Sequence, residues 1–154
     1  MKVSSKGHYG LRAMVELAKA YGAGPVALPE IGETENLSVG YLEQLVASLR
    51  KAGLVESTRG VRGGYQLTRR PSDITVGDVL RALEGPIALA ECASEIADPS
   101  CCERETDCAS RQVFQRMRDS IIQVLDSTTL ADLCKGEGAG TFLETGQQGI
   151  APYI

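Results

Sequence analysis

The sequence predicts a mostly α-helical fold with one small β-hairpin. Three observations lead there. A short helical stretch, a tight turn at Asn36 and an amphipathic helix follow one another between residues 28 and 53. Two short β-prone runs come directly behind them. A longer amphipathic pattern then begins at Ala109. Short helix, turn, helix and hairpin make a winged helix-turn-helix, and the late pattern adds one long helix to it.

Each element has its own signal. "SSKGHYGLRAMVELAKAYG" opens on a cap candidate, Ser4 or Ser5. Leu11, Met14, Val15 and Ala18 then share a helical face, with Leu17 and Tyr21 flanking it and Gly22 ending the helix. In "LPEIGETENLS", Pro29 suits a first helical position, Ile31 points inward, and Asn36 tolerates the left-handed backbone of a tight turn. Ser38 caps "VGYLEQLVASLRKAG", whose Leu42, Leu45, Val46 and Leu49 form one apolar face closed by Gly53. "LVEST" and "GGYQLTR" are the strands of the wing, and "RGVRG" is its tip. "ITVGDVLRALEG" carries Thr75 and Asp78 at capping-box spacing, with Leu80 and Leu83 inward.

After that helix, Pro99 and a lack of periodicity mark a loop. From Ala109, Val113, Met117, Ile121 and Leu125 step along one side, with Phe114, Ile122 and Val124 beside them. Such a stripe, far from the wing, calls for a partner surface, and a second copy of the chain supplies one most simply. "TTLADLC" adds a short helix, and the glycine-rich remainder predicts a flexible tail. The expected organisation is 1–75, a winged DNA-binding region; 76–91, a linking helix and connector; 92–108, a cysteine loop; 109–134, a dimerisation helix and short terminal helix; and 135–154, the tail.

Composition is that of a globular chain, with 43% hydrophobic and 23% charged residues. No apolar run approaches the roughly 18 residues of a membrane helix, so no membrane partner is expected. The polar start lacks the apolar core of a secretion signal, which predicts a cytoplasmic protein. Residues 1–75 carry ten Lys/Arg against seven Asp/Glu, whereas residues 76–154 carry six against thirteen. A basic front half on an acidic chain suggests a local face for a polyanion.

With its apolar residues turned inward, the helix after Ser38 presents Gly40, Tyr41, Glu43, Gln44, Ala47, Ser48 and Lys51 outward. That is the profile of a recognition helix for double-stranded DNA. Gln44 can pair with adenine and Glu43 can accept from cytosine, while Tyr41 and Ser38 suit phosphates. Glu43 is repelled by phosphate unless a cytosine receives it; it is either a selectivity device or a solvated surface acid. Arg59 and Arg62 at the wing tip, with Ser4 and Lys6 at the start of the first helix, complete the expected DNA contacts.

Cys92, Cys101, Cys102 and Cys108 crowd the loop. No Cys-x-x-Cys pair exists, so a zinc ribbon is excluded. Cys101 and Cys102 are adjacent and seldom both ligate one metal, so the expected ligands are Cys92, one of that pair, and Cys108. Three thiolates suit a soft metal or an iron–sulfur cluster; zinc, or direct oxidation at Cys101 and Cys102, are the other chemistries these residues allow. Cys134 reads as a small buried hydrophobe. No paired-carboxylate, His/Cys or P-loop constellation indicates an enzyme.

Together, "SSKGHYGLRAM", "LSVGYLEQLVASLRKAGLVESTRGVRGGYQL", the cysteine loop and "DSTTLADLC" resemble the Rrf-two family of bacterial winged-helix regulators, in its iron–sulfur cluster (IscR) branch. The resemblance runs from residue 1 to about 134. It implies a cytoplasmic homodimer paired through the helix at about 109–126, and a 2Fe-2S cluster in the loop whose occupancy alters promoter choice or affinity. It also implies a repressor acting on a palindromic operator in response to iron–sulfur or redox status; the alternative, regulation by a bound partner protein as in relatives without a cluster, is opposed by the intact cysteine loop. Members with a histidine ligand place it three residues beyond the last cysteine, where this chain has Arg111, which cannot ligate. The five residues between Cys102 and Cys108 match the family and favour Cys102 over Cys101, although the separation of Cys92 from Cys102 is longer. The fourth ligand stays open between His8 of the partner subunit, Cys101, Glu43 and a nearby acid, with His8 otherwise a surface or phosphate-facing residue.

Overall fold

The computed structural model of the protein describes residues 2–98, 101–102 and 107–136. Its elements run α1 (Ser5–Lys19), α2 (Leu28–Glu35), α3 (Val39–Lys51), β1 (Val55–Thr58), β2 (Gly64–Leu67), α4 (Val76–Glu84), α5 (Ala109–Ser127) and α6 (Leu130–Lys135). The order is helical with one antiparallel hairpin, as the sequence predicts.

Caps explain where the helices begin. Ser4 Oγ accepts from the Gly7 amide and Ser38 Oγ from the Tyr41 amide, each satisfying a donor that the first turn leaves unpaired. Thr75 with Asp78, and Thr129 with Asp132, form complete capping boxes at α4 and α6. Asn36 adopts the left-handed conformation (φ 54°) that turns α2 into α3. Pro29 occupies the second position of α2 rather than the first, where its missing N–H is equally harmless.

One core joins α1, α2, α3, the wing, α4 and α6. Met14, Leu17, Ile31, Leu42, Leu45, Leu49, Ile74 and Leu130 are fully or almost fully buried in it. Full burial of each such side chain stabilises by about 1.5–3 kcal/mol before chain entropy is counted. The buried arc of α1 differs from the expected stripe. Ala13, Met14, Leu17 and Ala18 are buried, whereas Leu11 and Val15 are only partly covered. The reason is that α1 is packed from several sides, by α4, α6, α3 and β2, so its inward face is set by more than one neighbour.

The hairpin pairs Val55 with Leu67 and Thr58 with Gly64. Val26 adds a further bridge by exchanging two main-chain hydrogen bonds with Tyr65, at 2.9 and 2.8 Å. Gly64 permits this approach: a Cβ there would lie 2.3 Å from the Val26 carbonyl oxygen. A second bridge, Thr75 to Thr129, ties the starts of α4 and α6 together. The Val76 amide donates to the Thr128 carbonyl (2.9 Å) and the Leu130 amide to the Ile74 carbonyl (3.0 Å). The chain thus leaves and re-enters the core at one place.

α5 is different. None of its residues is buried, and Val113, Phe114, Met117 and Val124 are exposed. Lys135 closes α6 and Gly136 caps it with a left-handed backbone, so residue 135, expected in the tail, belongs to that helix. Residues 137–154 lie outside the described residues.

Candidate nucleic-acid interface and cysteine segment

α3 buries Leu42, Leu45, Val46 and Leu49 and turns the opposite face to solvent. Ser38, Gly40, Glu43, Gln44, Ala47 and Lys51 are exposed; Tyr41 and Ser48 are half-buried. A Cβ on Gly40 would meet nothing within 4 Å, so the first turn of α3 is open to an approaching ligand. The Tyr41 ring stands edge-on to Tyr9 (6.2 Å between centroids, 84° between planes). The Arg12 guanidinium lies over the far partner, 5.9 Å from the Tyr9 centroid, and also pairs with Glu35. This stack orients Tyr41 and sets α1 beside α3.

At the wing, Arg59 and Arg62 are exposed, and the strand behind them is stiffened by Gln66 donating to Glu56 at 2.7 Å. Lys6 and His8 are also exposed near the start of α1, with the His8 ring edge-on to Tyr9 at 5.0 Å. Ser4 is already engaged. It caps α1, and both its amide and its hydroxyl donate to the Glu84 carboxylate, at 3.1 and 2.9 Å.

The described part of the cysteine segment has more order than a bare loop. Cys92 sits half-buried in a single 3-10 turn, Glu91–Ala93, and Ala93 is fully buried. Cys101 and Cys102 are exposed, and Cys108 precedes the first residue of α5. Residues 99–100 and 103–106 lie outside the described residues. Three arginines hold the segment. Arg111 Nε donates to the Cys92 carbonyl (3.2 Å) and Arg118 Nη1 to the Ser94 carbonyl (2.9 Å). Arg81 grips the Glu95 carboxylate through Nε and Nη2, at 2.5 to 3.1 Å, and reaches Asp126 of α5 with Nη1 at 2.6 Å. Glu95 also accepts from the Ile87 amide at 2.7 Å. The Arg81 guanidinium holds the Glu95 carboxyl below the usual carboxylate range, and the two acids raise Arg81 in turn.

The sequence shows that Arg111 cannot ligate but not what it holds, and it leaves unread the ion pairs of Arg81 with Glu95 and Asp126 and the contact of Arg118. One signal was available. Arg111 and Arg118 are seven residues apart, which places them on one face of α5. The backbone carbonyls they hold leave no trace in side-chain spacing.

Thiolates are of the right type for an iron–sulfur cluster. Among the described residues, no three Cys, His, Asp or Glu side chains converge to hold a metal ion in this arrangement. The expected set of Cys92, Cys102 and Cys108 is not drawn together in this arrangement. Cys134 corrects the sequence reading. It is exposed rather than buried, because the inward positions of the short α6 are taken by Leu130 and Leu133, with its sulfur only 3.9 Å from the Val15 carbonyl. Partial burial pushes its thiol pKa up.

Comparison with known proteins places these features. The family model described as "Rrf2: Iron-dependent Transcriptional regulator" matches residues 3–136. The HTH-type transcriptional regulator CymR of Bacillus subtilis is 52% identical over 133 residues, which is 86% of this chain and 89% of that protein. Among solved structures, T. potens IscR superposes with a TM-score of 0.72 at 44% identity, covering 98% of this chain and 94% of that one. The oxidized form of Staphylococcus aureus CymR superposes with a TM-score of 0.70 at 44% identity, covering 88% and 97%.

Proposed function

The chain belongs to the Rrf2 family of transcriptional regulators, and from that premise we propose a homodimeric repressor that binds a palindromic double-stranded DNA operator in the cytoplasm and takes its signal at the cysteine segment. The observation that carries the DNA reading is the outer face of α3. Ser38, Glu43, Gln44 and Lys51 are exposed there, in a structure whose wing also exposes Arg59 and Arg62. Donors and acceptors at the N-terminal end of α3 suit base edges, and the wing arginines suit phosphates. Ser4 contributes by fixing the start of α1 rather than by reaching DNA with its hydroxyl, and Lys6 and Tyr41 contact the backbone. The apolar stripe of α5 supports pairing with a second copy.

The test is selection of bound duplexes from a random library, followed by fluorescence anisotropy on the enriched sequence. A palindromic site whose affinity falls steeply with salt is the expected result. No enrichment at low salt would sink the DNA reading.

Two chemistries compete for the signal. A 2Fe-2S cluster held by Cys92, Cys102 and Cys108, with His8 of the partner subunit or Cys101 as fourth ligand, is supported by donor type and by likeness to T. potens IscR. Direct oxidation at Cys101 or Cys102 is supported by their exposure and by likeness to a CymR solved in an oxidized form. Iron and acid-labile sulfide, assayed on anaerobically purified protein, separate them. Near-equal iron and sulfide assigns the cluster; iron-free protein that resists reconstitution assigns the thiols.

A further inference from the structure

We propose that Arg81 is the positioning residue that couples the cysteine segment to the DNA-binding half of the molecule. The proposal rests on the reading of that segment as the receiver of the signal. Among the described residues, Arg81 ties three pieces of the chain together: it sits on α4, grips Glu95 next to the cysteine turn, and holds Asp126 near the end of α5. A guanidinium has five donors in a rigid fork, so two carboxylates can be held at once only in a defined geometry. Gly77 keeps the space for this. A Cβ there would lie 2.0 Å from Asp126 Oδ1 and 2.5 Å from Arg81 Nη1.

One turn further along α4, the helix is fastened to the DNA-binding half. Glu84 accepts from both the amide and the hydroxyl of Ser4, the residue that caps α1. Leu83 lies against Gly10 so closely that a Cβ on that glycine would be 2.2 Å from Leu83 Cδ1. α4 also packs on α3. Contacts this close have no slack, so a displacement of α4 moves α1 and α3 rather than being absorbed. A rearrangement of residues 92–98 that withdraws Glu95 leaves Arg81 with Asp126 alone, and α4 shifts toward α5. The recognition helices of the two protomers then sit at a different separation.

The experiment uses the full chain and the selected operator. Anisotropy gives the dissociation constant for reduced, cluster-free protein. It is repeated after reconstitution with ferric iron and sulfide, and after diamide, which takes two protons and two electrons from a thiol pair. In the wild type, at least one treatment changes the constant by a factor in the range of about 5–150. In Arg81→Gln and Glu95→Gln that factor collapses to within about twofold of one, while the unfolding midpoint shows the variants folded. A purely structural role for Arg81 weakens all states equally and keeps the factor; that result overturns the proposal. A wild type that responds to neither treatment overturns the signal-receiver reading instead, and the two failures are told apart by the wild-type data alone.

Discussion

Two regions of this molecule are held by different physics. The region made of α1 to α4, the wing and α6 contains every buried hydrophobic residue among those described, with the single exception of Ala93. The region made of α5 and the cysteine segment has almost none, and is held by Arg81, Arg111 and Arg118 on carbonyls and carboxylates. Burial is non-directional and sums over many contacts, whereas charged hydrogen bonds are few and depend on geometry. The first region is therefore a platform that keeps its shape. The described part of the second rests on a few contacts whose strength depends on geometry.

The sharpest way to break this contrast is Leu130→Ala. Leu130 follows α5 in sequence yet is fully buried in the platform core. Truncating it should cost about 2–5 kcal/mol in urea unfolding, as for any core leucine; a loss below about 1 kcal/mol would detach α6 from the platform. Phe114→Ala is the opposite case. Phe114 is exposed on α5, so the variant should unfold almost like the wild type but dimerise more weakly, by about 2 kcal/mol in sedimentation equilibrium. Arg59→Gln should leave both stability and dimerisation alone. It should weaken DNA binding across sequences and lower the slope of log affinity against log salt by about one.

The smallest effect concerns pH. Because Arg81 depresses the Glu95 carboxyl, the stabilisation from this pair is present above the ordinary carboxylate value near ~4.3 and is lost as pH falls through the lower folded value. The difference in thermal midpoint between wild type and Glu95→Gln should therefore be largest at neutral pH and shrink toward pH ~3. A difference that grows on acidification would mean that Arg81 does not protect the ionised form.

The contrast also explains what could be read from the sequence. Leu42, Leu45, Val46 and Leu49 lie at helical spacing, and all four are buried. The capping box of Thr75 and Asp78 is present as its spacing implies. The unburied stripe of α5 was legible for the same reason, since periodicity reports a face before it reports a partner. Elsewhere, local spacing failed because the deciding contact is distant. Leu17 rather than Leu11 is buried because α1 is wrapped by elements from across the chain. Cys134 is exposed because Leu130 and Leu133 already fill the inward side of α6. Arg81 meets Asp126 across 45 positions, and no periodic pattern encodes a pair of that range. For the thiols, residue type names several candidate chemistries, and local spacing does not encode which of the side chains come together.

The bridge between Thr75 and Thr129 has a consequence for how the protein is made. Ile74 and Leu130 belong to the same core, and their main chains are joined only after more than fifty intervening residues have been synthesised. A nascent chain that has emerged as far as the wing still has an open seam along α1, where α6 will dock. Non-local closure of this kind is slow and leaves apolar surface uncovered in the meantime. The core shared by α1 to α4, the wing and α6 is thus completed last, only after α5 has been synthesised.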